Sequence, residues 1–190
     1  MKCPRCLFEQ RVCLCADVPT VVARTRVVIV RHHLERHRSS NSGRLAHFAL
    51  PNSEIVDLGG REAPARLNAG HPAGTMPPLD GAWLVFPVGP VMAPAGPPPR
   101  QLVVLDATWS QARRMYRKID ALRGLPILRL SEAPMPVARF RESPGPDRVS
   151  TIEAIARALR RVEGDAIAAP LEALFALAVE RARSTGRAVS

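Results

Sequence analysis

Two groups of residues carry most of the chemistry this chain can do. The first is thiol-based. All four cysteines stand within the first fifteen residues, as Cys3-x2-Cys6-x6-Cys13-x-Cys15. In a reducing compartment such crowding points to a metal rather than to disulfides. Four thiolates suit a closed tetrahedral zinc site that leaves no position for water, which makes zinc structural here. A redox pair and an iron–sulfur cluster are the competing readings. The second group centres on one carboxylate, Asp106, at the end of Gln101-Leu102-Val103-Val104-Leu105-Asp106. That segment is the clearest buried strand, apolar on both faces as a parallel sheet demands. In open parallel sheets, ligands bind beyond the carboxyl ends of the strands. A carboxylate beside apolar residues has a raised pKa, which suits a proton acceptor near neutral pH. The plainer reading is that Asp106 or Thr108 caps the following helix and that Trp109 is core. Ser150-x-x-Glu153 has the same ambiguity, because a capping box explains it without any ligand.

Arginine supplies the third theme. Arg31-His32-His33-Leu34-Glu35-Arg36-His37-Arg38 reads either as a phosphate-contacting loop or as a solvated one, with Ser39–Asn41 capping the next helix. It lacks the His and Glu spacing of a zinc protease. Arg113, Arg114 and Arg117 share one helix, and Arg139, Arg141 and Arg148 precede Ser150. Together these can line a backbone-binding face. The 27 Lys+Arg outnumber the 17 Asp+Glu to give a formal net charge of +10, and only Lys2 and Lys118 are lysines. Planar, bidentate guanidinium groups favour a polyanion, with nucleic acid the leading candidate. Aromatic residues are 4% of the chain, which speaks against an RNA binder built on base stacking. There is no Gly-rich phosphate loop, no dinucleotide fingerprint and no Gly-x-Ser-x-Gly elbow.

The elements that must position these groups follow an α/β pattern. Strands are expected at Thr25–Val30, Glu54–Leu58, Ala82–Pro87, Gln101–Asp106 and Leu125–Leu130. Helices are expected near Ser42–Leu50, Trp109–Ile119, Thr151–Val162 and Pro170–Arg183, the last two with apolar residues on one face. Residues 59–81, 88–100 and 131–149 read as loops. A mostly parallel sheet with flanking helices follows. The length of 190 residues, 46% hydrophobic and 23% charged, suits one such domain and excludes wholesale disorder. The chain divides into a zinc-binding module over 1–20 and an α/β domain over 21–190. No apolar run is long enough to span a bilayer and the N-terminus lacks a signal-peptide core, so a cytoplasmic protein without a membrane partner is expected. No obligate protein partner is evident.

Four ordered segments together resemble the DTW-domain family of tRNA-uridine aminocarboxypropyltransferases. The cysteine pattern is similar to the family's zinc motif. His33-x-Glu35-x5-Asn41-Ser42-Gly43-Arg44 resembles its His…Asn-Thr-Gly segment, with Ser42 for the usual threonine. Asp106-Ala107-Thr108-Trp109-x2-Ala112 carries the name-giving motif, with Ala107 for the usual glycine. Ser150-Thr151-Ile152-Glu153-Ala154 is similar to its Ser-Thr-x-Glu-Ala.

The resemblance implies a SPOUT-like fold with a C-terminal trefoil knot. It implies S-adenosylmethionine as co-substrate, held in loops near Pro87, Leu105, Asp106, Thr108, Trp109, Leu130, Ser150 and Thr151. The implied reaction moves the 3-amino-3-carboxypropyl group to N3 of a tRNA uridine and releases methylthioadenosine. Uridine N3 must lose a proton to attack carbon, and Asp106 is the expected base. RNA contacts are expected from His33, Arg36, Asn41, Arg44, Arg113, Arg114, Arg139 and Arg141, with Cys3, Cys6, Cys13 and Cys15 as zinc ligands. The alternatives are a SPOUT RNA methyltransferase, an aminocarboxypropyl transferase acting on rRNA, and a non-catalytic zinc protein that binds RNA.

Overall fold

The computed structural model describes residues 1–58, 75–89, 94–130 and 149–185. Its strands are β1 (Arg26–His32), β2 (Ser53–Leu58), β3 (Ala82–Val85), β4 (Gln101–Asp106) and β5 (Ile127–Leu128). Its helices are α1 (Ser42–Ala49), α2 (Trp109–Lys118), α3 (Thr151–Glu163) and α4 (Asp165–Ser184). Every strand pair is parallel, in the order β2-β1-β4-β3-β5. The neighbouring strands β1 and β4 each carry a run of deeply buried apolar residues. Val27 to Val30 of β1 are fully buried, as are Leu102 and Val103 of β4. Strand alternation splits these residues between two cores. Val27, Ile29, Leu102 and Val104 pack with α1, α3 and α4 on one face. Val28, Val30, Leu84 and Val103 pack with Ala112 and Met115 of α2 on the other.

That division sets the location of the site. The chain leaving β1 turns into α1 on the first face, whereas the chain leaving β4 turns into α2 on the second. β1 and β4 are neighbours. Their carboxyl ends are therefore the topological switch point of the sheet, the place where ligands of open α/β sheets bind.

The expected α/β class holds, and β4 has the bounds read from its sequence. Four elements differ in their bounds for physical reasons. β1 runs through Arg31 and His32, because Arg31 has a carboxylate partner across the sheet and is only 7% exposed. β3 and β5 are shorter than expected, since β3 pairs with β4 only over Ala82–Val85 and β5 pairs with β3 only over Ile127–Leu128. α4 begins at Asp165, five residues before Pro170, which lies inside the helix. An interior proline costs about 3 kcal/mol, and burial of Ala168, Leu171 and Leu174 on either side of it offsets that cost. A single residue, Gly164, both ends α3 and precedes α4, and its φ of 99° is one that a glycine adopts without strain. Arg160 then bridges the corner to Asp165 and Glu172.

The first fifteen residues join the larger core. Cys3, Cys6, Phe8 and Leu14 are buried against the same cluster as α4. Arg181 of α4 fastens this segment, donating to the Cys13 carbonyl and pairing with Asp17 at 2.8 Å. The trefoil knot is not shown by the described residues, and the loop read over 131–149 lies outside them except for its last residue. No helix among the described residues is long and apolar enough to cross a membrane.

Candidate active site

The end of β4 places Asp106 where the N-termini of α1 and α3 meet. Its carboxylate is 4% exposed. The Thr151 hydroxyl donates to Oδ1 at 2.7 Å, and the Asn41 amide donates to Oδ2 at 2.5 Å. Asn41 also caps α1, its Oδ1 accepting from the Arg44 N–H at 2.9 Å. Ser42 accepts from the Ile152 N–H at 3.4 Å, which ties the start of α1 to the first turn of α3. Gly43 completes the contact. A Cβ at that position would stand 2.7 Å from Asp106 Oδ2 and 2.9 Å from its Cγ, closer than real Cβ contacts. Only glycine lets the helix approach the carboxylate this closely.

Capping chemistry explains the neighbouring residues. Thr108 caps α2 in a reciprocal box with Gln111, whose Oε1 accepts from the Thr108 N–H at 2.9 Å. Ser150 caps α3 in the expected box with Glu153, whose Oε2 accepts from the Ser150 N–H at 2.8 Å. Asp106 caps nothing. It spends its oxygens on two elements remote in sequence, and this separates it from the bland reading. Burial pushes its carboxyl above the ordinary 3.8, with the Thr151 and Asn41 hydrogen bonds and the Arg31 charge opposing.

Across the sheet, Asp57, Arg31 and Asp106 stand in one row on β2, β1 and β4. Arg31 grips Asp57 with two parallel hydrogen bonds, Nε at 2.6 Å and Nη2 at 2.9 Å. The exposed Arg36 approaches the same carboxylate at 3.9 Å. Arg44 is 8% exposed, and its guanidinium donates to the carbonyls of Arg36 and Arg38. Behind this row, burial and then Arg31 lower the pKa of His47, whose Nδ1 lies 2.9 Å from Ser53 Oγ.

The residues singled out from sequence fall into three places. Asn41, Asp106, Ser150 and Thr151 are brought together, with Thr108 capping the helix that leaves the same strand. Pro87 and Leu130 each lie two residues past the carboxyl ends of the neighbouring strands β3 and β5, and Leu105 and Trp109 are half-buried beside Asp106 in the chain. His33 is half-buried, while Arg36, Arg113 and Arg114 are exposed. Arg114 is close enough to His32 to lower its pKa, after burial and His33. Asn41 and Arg44 are buried, so their side chains shape the wall of the site and do not face outward. Arg139 and Arg141 lie outside the described residues. Sequence reasoning placed Arg31 in a loop instead of in β1, and it missed Asp57 and the contact role of Gly43. A charged residue inside an apolar strand was the available signal for Arg31; nothing local signalled the other two.

The cysteines form a separate centre. All four Sγ atoms lie within 4.8 Å of one another. Cys3–Cys15 and Cys6–Cys13 are each 3.7 Å apart, far beyond an S–S bond. A tetrahedral ion with bonds of about 2.3 Å separates its sulfurs by about 3.8 Å, so the set fits a four-coordinate metal such as zinc. Leu7, at φ 63°, takes the left-handed turn that folds the chain back after Cys6.

A protein from Drosophila melanogaster named tRNA-uridine aminocarboxypropyltransferase 2 is 27% identical over 172 residues, covering 85% of this chain and 66% of its own. One from Arabidopsis thaliana named tRNA-uridine aminocarboxypropyltransferase A is 26% identical over 197 residues, covering 86% of this chain and 73% of its own. The chain thus spans about two thirds to three quarters of the length of these relatives. No solved structure matches it. The DTW domain model matches residues 1–183, nearly the whole chain and all four motif segments, so the protein belongs to the DTW-domain family.

Proposed function

We propose that this chain transfers the 3-amino-3-carboxypropyl group of S-adenosylmethionine to N3 of a uridine in tRNA, releasing methylthioadenosine. The observation that carries the proposal is the meeting of Asn41, Asp106 and Thr151 at the switch point, in a chain that matches the DTW model along its length. The relatives are named tRNA-uridine aminocarboxypropyltransferases, which supports transfer of an aminocarboxypropyl group to a tRNA uridine here.

In this reading the sheet is SPOUT-like. S-adenosylmethionine supplies an electrophilic carbon beside a sulfonium and leaves as a neutral thioether. The backbone of the loops at Pro87, Leu105–Trp109, Leu130 and Ser150–Thr151 cradles it, with the Trp109 ring against the nucleoside. Asp106 accepts the N3 proton. Its burial raises its basicity, which brings it nearer the pH at which it must act. Which carbon is transferred depends on which one the loops hold in line with N3. Arg36, Arg113 and Arg114 lie at the surface with His33 nearby, and they contact the tRNA backbone. Residues 1–20 form a zinc clip, structural rather than catalytic, beside the transferase domain of 21–190.

The test is to incubate the chain with S-adenosylmethionine and unmodified tRNA and identify the co-product by mass spectrometry. Methylthioadenosine with a matching mass gain on uridine is expected. S-adenosylhomocysteine would replace this reading with methyl transfer, and RNA binding without any co-product would replace it with a binding role. Asp106→Asn should reduce transfer by about 100-fold or more while cofactor affinity stays near that of the wild type. Near-normal turnover in that variant would remove Asp106 from the base role.

A further inference from the structure

We propose that the Thr151 hydroxyl relays the proton from uridine N3 to the buried Asp106 carboxylate. The inference rests on the transferase reading and specifies how its base is reached. Asp106 is 4% exposed, and both of its oxygens already accept hydrogen bonds. Approach from Oδ2 is closed, since even one added carbon on Gly43 would come within 2.7 Å of that atom. Asn41 offers no path either. Its amide nitrogen donates but has no lone pair with which to take a proton, its Oδ1 is held by the Arg44 N–H, and the residue is 3% exposed.

Thr151 differs on both counts. A hydroxyl donates one proton and accepts through two lone pairs, so it can take a proton on one side while giving one on the other. Thr151 is half-buried at the first position of α3, with its hydrogen bond to Asp106 Oδ1 already formed at 2.7 Å. As N3 attacks, the N3–H bond breaks and its proton passes to Thr151 Oγ1. The hydroxyl's own proton passes to Asp106 Oδ1. The N3 electron pair forms the new N–C bond, and the electrons of the broken C–S bond leave with the thioether. Thr151 ends neutral and Asp106 ends protonated.

The charged groups around the carboxylate are Arg31 from β1, Arg44 from α1 and Glu35 from the turn after β1. Arg31 is held by Asp57, and Arg44 by the carbonyls of Arg36 and Arg38; neither guanidinium can accept a proton. They adjust the charge at Asp106 without forming a route to it.

The experiment compares Thr151→Val and Thr151→Ser with the wild type under single-turnover conditions. Valine keeps the volume, so no water fills the place of the hydroxyl. Thr151→Val should lower the transfer rate about 100-fold or more, with calorimetric affinity for S-adenosylmethionine nearly unchanged and the melting temperature lowered by only a few degrees, because Oδ1 loses its donor. Thr151→Ser should restore the rate to within about tenfold of the wild type. Without the relay only uridine already ionised in solution reacts, so the Thr151→Val rate should climb about tenfold per pH unit where the wild type is level. A Thr151→Val rate within about threefold of the wild type, or a parallel pH profile, would overturn the relay. A proton inventory on the wild type decides the matter with no variant at all. Two protons moving together curve the plot of rate against deuterium fraction, and a straight line would overturn the relay. A wild type that releases no methylthioadenosine would overturn the transferase reading and the relay with it, an outcome distinct from an active wild type whose Thr151→Val variant is also active.

Discussion

The cysteine cluster and the Asp106 cluster are both tight groups of reactive side chains, but they are assembled in opposite ways. The four thiols come from fifteen consecutive residues and are folded together by local turns at Cys3–Phe8 and Gln10–Cys13. Asn41, Asp106 and Thr151 come from three separate elements, and only the stacking of α1 and α3 on β4 makes them neighbours. The first is a set of soft donors spaced to hold one ion. The second is a set of donors already satisfied around one buried charge, with glycine-sized clearance. A local cluster should therefore fail by losing its ion, and a long-range cluster by losing its fit.

Three perturbations break or sharpen that contrast. The largest stability loss is expected on the cysteine side. Cys13→Ser, or metal removal by a chelator, should cost several kcal/mol and lower the melting temperature by roughly 6–12 °C. It should also weaken tRNA binding more than cofactor binding. Calorimetry with metal analysis and binding titrations checks this, and an unchanged melting temperature with no bound metal would remove the structural role of the thiols. Gly43→Ala should cost less stability, about 1–3 kcal/mol by overpacking, yet lower turnover about 100-fold by displacing Asp106. Denaturant melts beside single-turnover rates measure both, and a variant with full activity would show the clearance to be dispensable. The smallest effect is a pH dependence. Burial raises the Asp106 carboxyl above its unfolded value, so its charged form destabilises the native state. That penalty is absent below the unfolded pKa, grows as pH rises toward the folded value, and is constant above it. Asp106→Asn keeps the contacts, its carbonyl accepting from Asn41 and its amide donating to the Thr151 oxygen. It should therefore gain stability relative to the wild type as pH rises above about 4. A difference that stays flat or falls over that range would show that the hydrogen bonds outweigh burial.

The same contrast governs what could be read from sequence. The cysteine spacing, the bounds of β4 and the capping box at Ser150 are local patterns, and each stands in the structure where its residues placed it. Asp106 was legible as the end of a buried strand, because apolar residues on both faces admit few other positions. Asn41 and Thr151 entered through the resemblance, but their contact with its carboxylate was not legible, since which helix start faces which strand end depends on the β1–β4 register. Arg31 was read as the start of a loop because its partner, Asp57, lies on another strand. Pro170 was read as a helix start because proline favours the first turn, and burial on both sides of it outweighed that preference. Gly43 was visible as a motif letter, but the carboxylate it makes room for is sixty-three residues away in the chain.

The Arg181 clamp has a consequence for how such a chain acquires its shape. Cys13 is fixed through its carbonyl by a side chain separated from it by 168 positions, on the last helix described. A ribosome delivers Cys13 long before Arg181, at about 5–20 residues per second. The thiols can gather around an ion early, but they cannot settle into their final seat until α4 arrives to close over them. Contacts of such wide sequence separation are slow to form. During synthesis the cysteine segment is therefore a tethered, unseated piece, and docking of α4 is the event that turns a collection of parts into one cooperative unit.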